Sequence, residues 1–151
     1  MFKTLQDLNY LIVLAVAVAG FLLSWLWYSP FLFGKAWMKE MGLTKADCQK
    51  MPKSKGLRMM GGGFLLTILS TAVLAVLITE HQMLITGHPS LGAVGGAKVG
   101  LFVGAGLVAV RDGVNHIFSM KSLKLFCIIA GHDIVLCTVQ VSLLGQWLWP
   151  K

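Results

Sequence analysis

The sequence contains few of the residues from which metal centres, disulfide frameworks and hydrolytic sites are built. It has three cysteines, an odd number, and no two of them are spaced as CxxC, so neither a disulfide framework nor a zinc site is indicated. A nucleophile elbow, a phosphate-binding loop, an HExxH metal site and a CxxCH haem site are also missing. The sequence therefore carries no motif of a common enzyme class.

Charged residues are also scarce. They make up 13% of the chain, whereas apolar residues make up 56% and the mean hydropathy is +0.76. Soluble domains use about 45–50% apolar residues. A chain of 151 residues is about one domain. Because one soluble core of this size cannot bury so much apolar surface, we expect the excess to face lipid.

Four stretches are long and apolar enough to cross a membrane, since about 20 apolar residues span a hydrocarbon core roughly 30 Å thick. The predicted spans are about 8–28, 61–79, 91–118 and 123–149. The first stretch could instead be a signal peptide, because Ala17-Val18-Ala19 resembles a cleavage site, but its apolar run continues to Trp27. The predicted fold class is all-α, a single membrane domain of four transmembrane helices.

Basic residues are concentrated in the connection 29–60 between the first two spans. Seven occur there: Lys35, Lys39, Lys45, Lys50, Lys53, Lys55 and Arg58. A short basic turn at 119–124 separates the last two spans, so with four spans both basic segments fall on one side. The positive-inside rule makes that side cytoplasmic and leaves both termini outside.

The net charge of +7 does not indicate a nucleic-acid partner, because no basic reader helix is present.

Aromatic residues cluster where the first span ends. Three of them suit an aromatic belt at the membrane interface: Trp25, Trp27 and Tyr28. An amphipathic helix is predicted over about 30–41, where Ser29-Pro30 is a start signal with Ser29 as N-cap and Pro30 at the first helical position. Trp37 lies on its apolar row and lysines on another, and we expect it to lie in the interface plane. A capping box from Thr44 to Asp47 predicts a second short helix.

A glycine stripe marks the third span. Its members recur every four residues, at Gly92, Gly96, Gly100 and Gly104, and therefore share one helix face. Small residues let helix backbones approach closely in lipid. The stripe predicts a tight helix contact, either within the bundle or between protomers. A cavity or pore lined by backbone is the alternative, and it would need an oligomer.

Ionisable and polar residues inside the last two spans are the main candidate site. They are Arg111, Asp112, Asn115 and His116 on the third span, and His132, Asp133 and Gln140 on the fourth. One charge at the bilayer centre costs about 2.5–3.5 kcal/mol. The two spans form a hairpin, in which Arg111 and His132 lie about 14–16 Å from the turn centre. An Arg111–Asp133 ion pair is therefore geometrically available and is expected here, with Asp112 and His132 close by. Asp112 and His116, four residues apart, share one face and can also bond.

This polar cluster has two interpretations. It is either a structural clamp that holds the hairpin together, or a proton or ion relay or a binding pocket for a polar group. Haem ligation by His116 and His132 is disfavoured, because their depths differ by about 7 Å. No cofactor and no metal are predicted: Glu80, His81 and His88 in the outer connection are more simply solvated residues than a metal site.

The sequence resembles one known family. The resemblance rests on the block WYSPFLFGKAWM at 27–38, on NHIF at 115–118 and on LKLF at 123–126. These segments are similar to those of bacterial membrane proteins grouped as domain of unknown function 1761. The resemblance covers nearly the whole chain and implies a small four-helix membrane domain, located in the bacterial inner membrane, without an assigned activity.

Three classes of function remain open. The first is a non-enzymatic membrane protein, oligomeric through the glycine stripe, that binds or passes a small solute or ion through the polar cluster. The second is a structural or accessory subunit of a membrane complex. The third is a membrane enzyme or redox component acting on a lipid-soluble substrate such as a quinone. In all three, the expected partners are membrane lipid and further copies of the chain.

Overall fold

The computed structural model describes residue 6, residues 8–87 and residues 91–148. The helices in these residues are α1 (Tyr10–Trp27), α2 (Gly34–Glu40), α3 (Lys45–Lys50), α4 (Lys53–Thr86), α5 (Gly92–Phe118) and α6 (Leu123–Trp147). No strand occurs in the described residues. The all-α fold class predicted from the sequence is confirmed.

Four of the helices, α1, α4, α5 and α6, are long and apolar enough to cross a membrane. Their outer faces carry large apolar side chains in the open, including Leu11, Leu66 and Phe102, each at least two-thirds exposed. Lipid tails can surround such side chains without the cost that water would impose. The chain is therefore a multi-pass membrane protein with four transmembrane helices.

Helix α6 is the central element of the bundle. In its apolar window 39% of the residues are buried, whereas the windows of the other three helices reach 17–22%. The apolar core is formed by α1, α4 and α6, with Val16, Ala75, Val141 and Leu144 all at 0% exposure. Helix α5 packs on another face of α6. Side chains of α6 consequently meet neighbours from several helices.

The helix predicted over about 30–41 is shorter than expected and begins at Gly34. Before it, residues 28–33 form a tight turn in which the Phe33 N–H donates to the Trp27 carbonyl (3.0 Å) and the Gly34 N–H to the Ser29 carbonyl (3.0 Å). A Cβ at Gly34 would lie 2.2 Å from the Tyr28 carbonyl oxygen. Only glycine permits that approach, so the Ser29-Pro30 start signal gives a turn and α2 begins after it.

Helix α4 extends well beyond the predicted span 61–79, at both ends. It begins directly after Pro52, so the end of the predicted connection 29–60 is helical, and it continues to Gly87, whose left-handed backbone (φ +68°) ends it. Thirty-four residues measure about 51 Å, more than the hydrocarbon core requires. The glycines at 61–63 do not interrupt α4. A helix bonds its backbone N–H and C=O groups internally, whereas an open stretch of chain in lipid would leave them without partners.

The last two transmembrane helices lie close to their predicted bounds. Helix α5 begins one residue after the predicted start, and α6 begins at Leu123, as predicted. The Ser122 hydroxyl caps α6 by accepting a hydrogen bond from the Leu125 N–H (3.2 Å). The predicted end of the fourth span, Trp149, lies outside the described residues.

Three members of the glycine stripe face α6. A Cβ added at Gly96 would lie 2.3 Å from the Val141 carbonyl oxygen, and one at Gly100 would lie 2.5 Å from the Cys137 carbonyl oxygen. At Gly104 the nearest atom would be the Ile134 Cα, at 2.9 Å, and a π-helical turn begins at this glycine. The two backbones are thus in direct contact. Helix α6 therefore covers these three glycines within one chain. Oligomerisation through the glycine stripe, which the sequence suggested, would need the same surface.

The fourth member of the stripe, Gly92, contributes differently. It begins α5 with a positive φ of +71°, and a Cβ there would meet nothing within 4 Å. Its carbonyl oxygen instead lies 2.6 Å from the position of a Cβ on Gly145 of α6. The close α5–α6 contact therefore continues to the start of α5, with the small residue supplied by α6.

The short helix α3 is capped as predicted. The Thr44 N–H donates to the Asp47 carboxylate (2.9 Å), and the Asp47 N–H donates to the Thr44 hydroxyl (3.2 Å). The Thr44 hydroxyl also donates to the Asp47 carboxylate (2.5 Å), and this bond, followed by the one from the Thr44 N–H, holds the pKa of Asp47 below its usual range. The capping box is confirmed.

Helix α2 docks on the turn between α5 and α6. The Ser122 hydroxyl donates to the Glu40 carboxylate, and Lys124 lies 3.7 Å from the same carboxylate. The hydrogen bond from Ser122, followed by the nearby lysines, lowers the pKa of Glu40. The connection after α1 and the 119–122 turn therefore lie at one end of the bundle, called the loop end below, as the charge pattern predicts.

The glycine contact generates a test with an internal control. Gly100→Ala puts a methyl group against the backbone of α6 and is expected to destabilise the protein by about 1–3 kcal/mol, the usual cost of overpacking. Gly106→Ala, on the same helix, meets nothing within 4 Å and should cost far less. Thermal unfolding in detergent measures both. Equal losses for the two variants would contradict the proposed contact.

Candidate intramembrane polar site

The candidate site lies in the loop-end half of the bundle, at His132 and Asp133 of α6. His132 is nine residues beyond the start of α6, or about 14 Å along the helix. It is only 7% exposed, and it faces the last turn of α1. The sequence predicted the depth of this residue, but α1 was not expected to be its neighbour.

Both ring nitrogens of His132 are hydrogen-bonded. Nδ1 lies 2.7 Å from Oδ1 of Asp133, and Nε2 lies 2.8 Å from the Ser24 hydroxyl of α1. The Ser24 hydroxyl donates its own proton to the Gly20 carbonyl (3.0 Å), so it accepts from Nε2–H. The bond to Asp133 must then contain a second proton, held by Nδ1 or by the carboxyl group. His132 and Asp133 are thus joined through an exchangeable proton.

Two aromatic rings from the end of α1 enclose His132. Their centroids lie 6.0 Å (Trp27) and 5.0 Å (Tyr28) from that of the imidazole. The Trp27 indole N–H donates to the Ile128 carbonyl (3.1 Å), which fixes α1 against α6. The Tyr28 ring also packs against Trp37 of α2, at 5.6 Å. These three predicted interfacial residues therefore lie at or beside the site, whereas Trp25 is 67% exposed.

Asp112 of α5 is the second acidic member of the site. Its carboxyl group lies close to that of Asp133 across the α5–α6 contact. Two carboxylates this close repel each other when both are ionised, and a proton bound between them removes the repulsion. Four side chains from three helices therefore form one connected cluster, the acid–histidine cluster: Ser24, Asp112, His132 and Asp133.

The predicted Arg111–Asp133 ion pair is wrong. Asp133 pairs with His132, Arg111 is exposed, and no ion pair joins Arg111 to Asp133 in the described structure. The depth estimate was adequate, but it ignored rotation about the helix axis. The covered face of this part of α5 contains Ala109, Asp112 and His116, three or four residues apart, and Arg111 lies off it.

Asn115 and His116 lie outside the acid–histidine cluster. His116 Nε2 donates to the Ser122 carbonyl (2.6 Å), and its ring packs on Phe126, so it fastens the end of α5 to the turn and does not serve as the expected partner of Asp112. Asn115 is exposed. Among the described residues, no three His, Cys, Asp or Glu side chains are placed to hold a metal ion. His88 of the outer connection is not among those residues.

Two hydroxyl groups near the site were not predicted. Ser24 looks like an ordinary small residue inside an apolar run, although polar residues within a transmembrane span commonly bond across helices. Ser29 was interpreted only as a helix cap, yet it is 8% exposed and its hydroxyl has no partner in the described structure. Both line a cavity of about 670 Å³ beside the site.

A second buried polar contact lies farther along α6, away from the loop end. The Gln140 side-chain amide donates to the Thr71 hydroxyl of α4 (2.8 Å), and both residues are almost wholly buried. A Cβ at Gly20 of α1 would lie 2.6 Å from the same amide nitrogen. No ionisable group takes part in this contact, so we assign it to helix packing.

Removing the Ser24 hydroxyl tests the interhelical bond. In Ser24→Ala the His132 Nε2–H loses its acceptor, and we expect a loss of about 0.5–1.5 kcal/mol in unfolding free energy, as for interhelical hydrogen bonds in membranes. Ser70→Ala is the matched control, because the Ser70 hydroxyl is exposed and bonds only its own helix. Thermal unfolding in detergent gives both values. A Ser24→Ala variant as stable as Ser70→Ala would contradict the bond.

Comparison with known proteins identifies the family but not an activity. A family model described as a protein of unknown function (DUF1761) matches residues 11–145. No curated protein and no solved structure matches the chain. The matched segment contains all four members of the acid–histidine cluster and nearly all of the four transmembrane helices. The chain therefore belongs to the DUF1761 family.

Proposed function

We propose that this DUF1761 protein binds protons at the acid–histidine cluster and passes them through the membrane domain. The supporting observation is a buried histidine with both ring nitrogens hydrogen-bonded, one of them to the Asp133 carboxyl group, with Asp112 of the neighbouring helix close by. Imidazole is the side chain that ordinarily exchanges its proton near neutral pH, and a carboxyl group hydrogen-bonded to it can share that proton. Ionisable residues inside membranes commonly belong to such relays.

The two carboxyl groups are more exposed than His132, so a proton would enter the cluster through them. The Asp133 side chain is 23% exposed and Asp112 is partly exposed, whereas His132 is buried. A proton arriving at the carboxyl pair can move along the 2.7 Å bond to His132 and then, through Nε2, towards Ser24. The cluster therefore leads from a partly exposed acid pair, through the buried imidazole, to Ser24 of α1.

A proton suits the cluster better than a metal ion does. A hard cation such as Ca²⁺ takes six to eight oxygen ligands, and the cluster offers two carboxyl groups and one hydroxyl. Both nitrogens of the histidine are already bonded. A proton needs only one donor and one acceptor, which each bond of the cluster supplies.

The membrane and the orientation of the chain that we propose for this activity follow from the charge pattern. The basic connection lies at the loop end, so the positive-inside rule places that end in the cytoplasm and both termini outside, in a bacterial inner membrane. Protons would then enter the cluster from the cytoplasm. Assembly of several copies is part of the proposal, but it must use a lipid-exposed face, because α6 covers the glycine stripe.

A structural role as an accessory subunit is the alternative, and the hydrogen bonds favour it as well. The cluster joins α1, α5 and α6, and removal of any partner would loosen the bundle. In that case substitutions would change stability and leave proton movement unaffected. The two functions therefore differ in a measurable way.

Proton movement can be measured in vesicles that contain the purified protein and a pH-sensitive dye. A potassium diffusion potential drives protons inward, and dye fluorescence reports the flux. We expect Asp112→Asn and Asp133→Asn each to lower the flux at least about tenfold, because an amide cannot exchange a proton in this range. Asp47→Asn, the same change on exposed helix α3, should retain the wild-type flux.

The outcomes separate the two roles. Wild-type flux in both cluster variants, with both folded, would contradict the proposal and favour the accessory subunit. A wild-type protein without flux above that of empty vesicles would do the same. Circular dichroism and size-exclusion chromatography establish whether each variant is folded.

A further inference from the structure

Ser29 has a buried hydroxyl group that no described residue of the protein satisfies. Its backbone is fully used: the N–H donates to the Leu26 carbonyl (3.1 Å), and its carbonyl accepts from Leu32 and Gly34. The side chain is buried with the rest of the residue, yet no atom of the described structure bonds its oxygen. Burying an unpaired hydroxyl costs free energy. A partner from outside the chain would remove that cost.

The cavity beside Ser29 has the size and lining of a binding site for a small molecule. Its volume of about 670 Å³ lies within the usual range of about 300–1,000 Å³. The walls come from α1, the 28–33 turn, α2, α4 and α6, and include Trp25, Trp37, Met60 and Ile129 besides the two serines. Apolar and aromatic walls with a few hydroxyl groups are typical of ligand sites.

The lining also restricts the kind of ligand. Among the described residues, none that lines the cavity is charged. A phosphate or carboxylate placed there would lose its hydration without a counter-charge, which is strongly unfavourable. The cavity lies between transmembrane helices, so a ligand can enter from lipid. A neutral molecule with an apolar body and a hydrogen-bonding oxygen fits these conditions.

We propose that this cavity binds a neutral, lipid-soluble molecule that bears a carbonyl or hydroxyl oxygen, with Ser29 as the hydrogen-bonding residue. Ser24 lines the same cavity and accepts a hydrogen bond from His132. The bound oxygen therefore lies beside the inner end of the acid–histidine cluster. This part of the inference rests on the proposed proton function: occupancy of the cavity is expected to change proton exchange at the cluster.

Binding can be measured directly by native mass spectrometry of the full chain released from detergent micelles. The probe is a decyl-substituted benzoquinone, and decylbenzene, which lacks the oxygens, is the comparison molecule. We expect the wild-type protein to retain the quinone in preference to decylbenzene. Ser29→Ala should weaken quinone retention about threefold to tenfold, the value of one hydrogen bond. Its thermal stability should equal or exceed that of the wild type, because the hydroxyl has no partner within the chain.

A matched pair of variants on α4 controls for general effects on lipid contact. Met60 and Leu77 are both large, apolar and more than half exposed, but only Met60 lines this cavity. Met60→Trp should abolish quinone retention by filling the space, and Leu77→Trp should leave it unchanged. Leu77 lines a separate cavity between α4 and α5, so a probe that binds there would show the opposite pattern.

Two results would overturn the inference. One is equal retention of quinone by wild type and Ser29→Ala, and the other is equal retention of quinone and decylbenzene by the wild type, which would indicate apolar partition alone. Asp133→Asn separates this inference from the proposed function. That variant should retain the quinone and lose proton flux, so failure of binding and failure of proton movement appear in different measurements.

Discussion

Within lipid, a polar side chain has no water to bond, so its partners must come from the protein itself. This constraint explains the position of His132 at the centre of the loop-end half of the bundle. Its two nitrogens reach a carboxyl group on its own helix and a hydroxyl on α1. The carboxyl group in turn meets Asp112 of α5. Three helices are therefore positioned by the hydrogen-bonding needs of one imidazole and its acid partners.

The glycine contact makes this arrangement possible. At Gly96, Gly100 and Gly104 the backbone of α5 touches that of α6, with no room for a side chain. Such close approach supplies packing energy in lipid, where helix association gains little from hydrophobicity. It also carries Asp112, farther along the same helix, to Asp133. The stripe thus has a role inside one chain, where the sequence alone left open a contact between protomers.

The sequence predicts the helices better than it predicts their contacts. Apolar length places α5 and α6 within a few residues, but the glycines and basic residues around 53–63 concealed the start of α4. The depth of a residue in a helical hairpin follows from the number of residues between it and the turn. This is how His132 and Asp112 were identified as candidate site residues. Rotation about each helix is harder to read, and this led to the wrong pairing of Arg111 with Asp133.

Hydroxyl residues were the least predictable part of the site. Ser24 and Ser29 carry no charge and interrupt no apolar pattern, so only the packing of α1 against α6 shows what they face. Their positions determine how the two proposals are connected. Ser24 belongs both to the acid–histidine cluster and to the cavity wall, and Ser29 supplies the unpaired hydroxyl next to it.

The central claim is that Asp112 and Asp133 act as one unit within the membrane, and a double-mutant cycle measures this most directly. Unfolding free energies of the wild type, Asp112→Asn, Asp133→Asn and the double variant give the coupling between the two carboxyl groups. Residues in contact deviate from additivity by about 0.5–3 kcal/mol, and we expect a value in that range. Additivity within about 0.3 kcal/mol, with all four proteins folded, would show that the two groups do not interact and would contradict the account.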